Sequence, residues 1–449
     1  MKTRAAVQIV VVGVPALLTC IVFPFLALAA DPQPPAPTDN PATQPDSAAA
    51  AVLLDQLGHQ DFRAREQATR KLIEMGPPVL PMLEAKLKEP DPDPEVVHRI
   101  KIVLKHVGQF HGVVLQVHDR KRLAEFHKAI EQIADLGADS ISLVFTAYQK
   151  DGASSHVGRP PSMVTHDELV GLIRFARSRG LRVLLAPIVL LTDPRGTEWR
   201  GKIVPDDPAT WWAEYREYID FVAKAAAEGG AEVLSVGSEL NQLEASTDEW
   251  RDLIKFLRVH YPKLKLGYQA NWDRYWKAKF WEDLDFAMIS SFYTLATDEN
   301  AQPTVDDLAQ AWDAIQENGS VNHHKARLLE WQKTIGKPIL FDEVGYCSLR
   351  GTACHPWNYC PEGPGTVDLN EQANCYKAFL KVWSEELAVG GVFFFEWTLV
   401  GGGPEDTGYT PKGKPAEQII RSYFKAVAHP SPVSPPTRLA SSRPTPAGE

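Results

Sequence analysis

From residue 111 onward the chain alternates between short apolar runs and longer stretches with apolar positions three and four apart. Eight runs, at 111–118, 140–148, 182–190, 232–239, 265–271, 286–293, 338–343 and 392–398, are continuously apolar rather than alternating, the pattern of strands covered on both faces. Between them, helical spacing predicts helices over 123–136, 167–179, 211–227, 248–259, 308–334 and 370–389, with 415–427 closing the series. Eight such units in order predict an α/β fold of the (β/α)8 TIM-barrel type over residues 110–428. A doubly wound sheet would alternate in the same way, but no glycine-rich phosphate turn follows an early strand.

Upstream, residues 50–109 change register. Apolar positions at helical spacing recur over 62–73, 79–87 and 96–104, punctuated by Gly76-Pro-Pro and by the Pro/Asp run from Pro90 to Pro94. The run from Asp61 to Ala68, with the Asp-Pro-Glu-Val start near Asp93, resembles a HEAT-like repeat. About 60 residues provide too few copies for an independent solenoid, so a small all-α segment packed on the barrel is the reading, with a protein partner as its alternative use. Residues 31–49 read as a Pro-rich linker and 429–449 as a disordered Pro/Ser-rich tail.

Residues 1–30 have Lys2 and Arg4, an apolar stretch, and a small-residue exit before Asp31, which predicts a secretory signal peptide and an exported protein, periplasmic or extracellular; an uncleaved membrane anchor is the alternative. The net charge of −10 and the absence of any dense basic run argue against nucleic acid as a partner. Cys347, Cys354, Cys360 and Cys375 follow the leader, and an even count in an exported chain predicts disulfides, with Cys354–Cys360 and Cys347–Cys375 preferred.

The chemistry lies in two glutamates. Glu239 ends the fourth strand and Glu343 the seventh, the face of a barrel where active sites form. Strand parity groups Val233, Ser235, Gly237 and Glu239 on one face, and Ile339, Phe341 and Glu343 on another; if both faces point inward, the carboxyls meet. Two carboxyl groups are what glycosidic hydrolysis needs, one to protonate the leaving oxygen and one to attack or to activate water. Either glutamate alone would read as an ion-paired strand end. Asp342 reads as a structural acid on the opposite strand face, Glu396 as half of a buried ion pair, and Glu244 as solvated.

A barrel with glutamates after strands four and seven is similar to clan A of the glycoside hydrolases. More closely, VGSEL at Val236–Leu240, Trp199-Arg-Gly201, DEVGY at Asp342–Tyr346 followed by Pro356-Trp357, and GYTPKGKP at Gly408–Pro415 resemble glycoside hydrolase family 113, known for β-1,4-mannanases. The resemblance implies a retaining double displacement, with Glu239 as acid/base and Glu343 as nucleophile at a carboxyl separation of about 5–5.5 Å. It implies a polysaccharide or oligosaccharide substrate, β-1,4-mannan first, with another β-glycan (glucan or xylan) or an inactive carbohydrate-binding or scaffold barrel as alternatives. By the same analogy Tyr293 orients Glu343 and Trp397 forms the aromatic floor under the sugar. Asn271, Trp272 and Tyr148 (with Gln149) are placed near the substrate by strand-end position, Trp199 and Arg200 by their loop. Ser238 stands where most of clan A has the asparagine that contacts the sugar 2-hydroxyl. The mechanism requires no metal, and no cofactor motif is visible.

Overall fold

The structure, a computed structural model, describes residues 47–317, 319–358 and 365–428. The leader, most of the linker, the tail and Cys360 lie outside them.

Eight parallel strands close a barrel: β1 (Phe110–Gln116), β2 (Ser140–Gln149), β3 (Arg182–Leu191), β4 (Val233–Ser238), β5 (Lys265–Asn271), β6 (Phe286–Ser290), β9 (Ile339–Val344) and β10 (Val389–Phe394). The remaining pair, β7 (Ile315–Glu317) and β8 (Ser320–Asn322), forms a separate antiparallel hairpin. Inside the barrel, Phe110, Val114, Leu184, Val233, Met288, Leu340 and Phe393 pack an apolar plug. A larger apolar layer fills the space between strands and outer helices, where Trp211, Trp250, Trp312 and Trp383 are fully buried. Burial on both sides is why the strands carry no polar alternation.

Four helices precede the barrel, Ser47–Gln56, Phe62–Met75, Leu80–Leu87 and Pro94–Gly108, with their own core around Leu57, Leu72, Leu83 and Ile100. Arg99, 1% exposed, is neutralised there by Glu66 at 2.7 Å and Glu95 at 2.7 Å. Gln109 Nε2 donates to the Val389 carbonyl at 2.6 Å, tying the last helix to β10.

The single helix expected over 308–334 is two, Val305–Asp313 and His324–Ile335, with the β7–β8 hairpin between them. The Asn-Gly pair before Ser320 is a strong hairpin signal that the helical spacing around it obscured. The helix expected over 370–389 ends at Trp383, and β10 begins at Val389, earlier than the expected 392. Between β5 and β6 stands only the 3₁₀ turn Trp281–Asp283. The expected Cys347–Cys375 disulfide is not formed among the described residues. Cys375 faces the helix-to-strand layer from the Leu369–Trp383 helix, whereas Cys347 packs with Phe292, Leu349 and Tyr409 above the barrel.

Candidate active site

The two glutamates reach the barrel mouth by a device that simple alternation does not contain. On β9, Ile339 and Phe341 face the outer layer, where Phe341 meets Phe379 at 5.2 Å and Trp383 at 4.9 Å, while Leu340 points into the barrel. The expected inward face of β9 is therefore the outward one. Glu343 still enters the mouth because β9 carries a bulge: Leu340 pairs with Met288 and Glu343 with Ser290, three steps against two. A matching bulge on β4 sets Ser235 against Gly267 and Ser238 against Gln269. An extra residue resets the two-residue period and re-aims everything after it. Gly237 lies within the β4 bulge; a Cβ there would meet Trp250 and Tyr215 of the outer layer at 2.8 Å, so only glycine fits. Glu239 then turns off the strand with φ 52°, a left-handed conformation uncommon for a side-chain-bearing residue and frequent at functional sites.

Glu239 and Glu343 are 5% and 7% exposed. Arg200 Nη2 donates to Glu239 Oε2 at 2.5 Å. Its loop is shaped by Trp199, whose ring lies where a Cβ on Gly201 would come within 2.4 Å, which accounts for the Trp-Arg-Gly motif. Burial, then the charges of Glu239 and Asp342, push the Glu343 carboxyl well above the ordinary carboxylate range, against the pull of Arg200. Asp342, expected on the opposite face in a structural role, lies inward and fully buried, with Gln269 Nε2 donating to Oδ2; burial likewise drives its carboxyl far up.

Ser238 is buried beside the acid, and its Oγ has no hydrogen-bond partner among the described residues. Asn271 Nδ2 donates to Asn241 Oδ1 at 3.1 Å, bracing the segment after Glu239. Trp272 stacks on Trp357 with centroids 5.2 Å apart and planes at 20°. Tyr148 is half-buried at the end of β2, and Gln149 is consumed by the scaffold, accepting from Trp211 Nε1 at 2.9 Å.

Two expected roles lack support in the geometry. Tyr293 makes no hydrogen bond to Glu343: its phenol lacks any partner among the described residues, and its ring packs on Trp312 at 4.9 Å and His324 at 5.0 Å. Trp397 is 3% exposed, and Nε1 donates to Gln132 Oε1 at 2.9 Å on the Leu123–Asp135 helix, so its ring belongs to the shell. The half-buried ring at the mouth is Phe395, near Tyr409 at 5.2 Å and Phe292 at 6.1 Å. Trp397 was expected there by the family resemblance, and no role was assigned to Phe395.

Glu396 forms no ion pair among the described residues. Gln116 Nε2 donates to it, and burial pushes its carboxyl up to about 6. Glu244, expected in solvent, is 1% exposed beneath the Glu239 loop, where Tyr268 Oη donates to it at 3.4 Å and also accepts from Leu240 N at 3.1 Å. The GYTPKGKP motif has a structural reason too: the buried Lys414 Nζ donates to Asp406 Oδ1 at 2.7 Å, Ser348 Oγ at 2.8 Å and the Gly408 carbonyl at 2.8 Å, which knots the loop after β10 to that after β9.

The sequence profile of Glycoside Hydrolase Family 113 matches residues 118–414. Among solved structures, a GH113 β-mannanase from Alicyclobacillus acidocaldarius is 25% identical with a TM-score of 0.61, covering 72% of this chain and 99% of its own. Two structures of a GH113 β-1,4-mannanase are 26% identical with TM-scores of 0.59 and 0.60, each covering 71% and 99%. A search of curated proteins returns no match. With the profile spanning well over half of its length, the chain belongs to glycoside hydrolase family 113 and is a glycoside hydrolase.

Proposed function

We propose that the enzyme cleaves β-1,4-mannan with retention, Glu239 serving as acid and then base and Glu343 as nucleophile. The observation that carries this reading is the pair of bulges, each just ahead of one carboxylate, that brings both glutamates to one mouth of a family 113 barrel. The mannan preference rests on the solved relatives, which are described as β-mannanases.

Arg200 donates to Glu239, and burial with neighbouring charge favours the neutral form of Glu343. Turnover requires a protonated Glu239 to release the leaving oxygen and an ionised Glu343 to attack. In this proposal a sugar hydroxyl entering the mouth competes for the Arg200 donors, and the proton passes within the pair. Once the glycosyl–enzyme bond forms, Glu343 carries no charge, and Glu239, left as a carboxylate by the first step, takes a proton from the attacking water. Ser238 Oγ, without a hydrogen-bond partner among the described residues, is available to the sugar 2-hydroxyl.

The test is sugar release from mannan, glucan and xylan by the parent and by Glu239→Gln and Glu343→Gln, with the anomer of the first product read by NMR. Release from mannan with retained configuration, and a loss of 10³-fold or more in either variant, is expected. Variants as active as the parent would remove these glutamates from the mechanism, and preferential cleavage of glucan or xylan would reassign the sugar. The leader expected at residues 1–30 makes this an exported enzyme, checked by fractionating cells that express the full chain.

A further inference from the structure

Asp342 and Gln269 are joined at one corner only. Gln269 Nε2 donates to Asp342 Oδ2 at 2.5 Å, while the second oxygen of each group, Asp342 Oδ1 and Gln269 Oε1, is buried with no hydrogen-bond partner among the described residues. The residues themselves are 0% and 1% exposed. The hydroxyls at adjoining strand positions do not supply the missing donor. Ser238, paired with Gln269, and Ser290, paired with Glu343, also have no partner among the described residues, so neither donates to these oxygens. Two buried acceptors without a donor are costly, and such pairs are rare in folded proteins.

One proton removes the conflict. A carboxylic acid and a carboxamide are planar groups of matching shape. A proton on Asp342 Oδ1 donates to Gln269 Oε1 while Gln269 Nε2 donates to Asp342 Oδ2, closing a ring that uses both orphaned oxygens. The ionised carboxylate only accepts and cannot close it. Turning the amide over exchanges the two bonds and leaves the same need for one proton. Charge points the same way. Glu239 at the end of β4 and Glu343 on β9 are the acids acting on Asp342, and Arg200, the cation acting on it, already donates to Glu239. An ionised Asp342 would be a third carboxylate sharing one guanidinium in an enclosed site.

The position gives this ring a use. Gln269 stands on β5 and Asp342 on β9, with β6 between them in the sheet, so the pair spans a strand. The Gln269 carbonyl also accepts from Glu239 N at 2.8 Å. Gln269 therefore holds the backbone of one glutamate through its carbonyl and the chain neighbour of the other through its side chain. A charge on Asp342 would oppose the ionisation that Glu343 needs for attack.

We propose that Asp342 keeps its proton through the catalytic cycle and, locked to Gln269, is a neutral positioning residue that ties the strands of both glutamates together without placing charge beside the nucleophile. The proposal rests on the roles given above to Glu239 and Glu343, but the proton is read independently of turnover. Infrared spectra of the parent and of Asp342→Asn at about pH 8 report the C=O stretch of a protonated carboxyl. The parent is expected to show one such band that the variant lacks; a parent without it overturns the proposal. Asparagine can form the same two hydrogen bonds, with an amide N–H in place of the acid O–H, whereas leucine cannot. Asp342→Leu is expected to lower kcat about tenfold with little change in KM, and Asp342→Asn to recover most of that loss with the acidic limb of kcat/KM at the parent's pH. A limb displaced to lower pH in Asp342→Asn means that a negative charge has been removed, and overturns the proposal, as does a loss equal to that of Asp342→Leu. If Asp342→Asn does not fold, the band is read in parent enzyme labelled with carboxyl-13C aspartate, where a band that fails to shift overturns the assignment. A parent that releases no sugar from any glycan sinks the hydrolytic reading alone, and the infrared measurement still decides the proton.

Discussion

Replacing Glu244 by Gln tests the electrostatics beneath the acid loop. The side chain is 1% exposed, and its carboxyl is pushed up to about 7 from 4.5, mainly by burial, with Arg274 and the Tyr268 hydroxyl pulling it back down. Arg274 Nε stands 3.7 Å from Oε2, beyond hydrogen-bond reach, so it offsets only part of the desolvation. Because the folded value lies above the unfolded one, the stability this group contributes is fully present below about pH 4.5 and is lost as pH rises through 7. Over that interval, at about 1.4 kcal/mol per pH unit, the ionised group costs the fold about 3 kcal/mol. Glutamine has nearly the same shape and does not ionise. The variant should match the parent to within a pH-independent offset near pH 5 and gain on it progressively up to pH 8, a gap opening by about 4 °C in Tm for a chain of this length. The assay is thermal unfolding of both proteins at matched ionic strength from pH 5 to 8. A Tm difference that stays flat across that range, or that opens in the parent's favour, would mean that Arg274 keeps Glu244 ionised throughout and that desolvation does not dominate here.

Three further outcomes follow from the same geometry. Arg200→Met removes the cation that lowers the Glu343 carboxyl, so the acidic limb of the kcat/KM profile should move to higher pH, a readout that simple unfolding would not produce. Gly237→Ala drives a Cβ against Trp250 and Tyr215 and should cost about 1–3 kcal/mol of unfolding free energy, read by denaturant titration, with activity falling as the β4 bulge is displaced. Lys414→Met leaves Asp406 and Ser348 without their shared donor and should destabilise by about 3 kcal/mol, visible as early proteolysis in the loops after β9 and β10 before global unfolding.

The comparison of sequence with structure turns on which signals are local. Continuous apolar runs separated by helical spacing were enough to place all eight barrel strands within a few residues of their observed bounds, because a strand buried on both faces excludes polar residues along its whole length. The same feature hid orientation. A strand apolar on both sides shows no contrast from which to tell its inner face, so the face of β9 expected to point inward is the outward one. The hairpin inside 308–334 was legible in its Asn-Gly pair but was outweighed by helical spacing on either side.

What the sequence determined by itself was the barrel and the two carboxylates at its strand ends, since both follow from burial periodicity and from position in the chain. Only the tertiary structure decided how those carboxylates are aimed and charged. The bulges on β4 and β9 are properties of pairing with β5 and β6, and the elevated carboxyls of Glu343, Asp342 and Glu244 are properties of enclosure by residues distant in sequence. A bulge is defined by the partner strand and desolvation by the surroundings, and neither is written in a single stretch of chain.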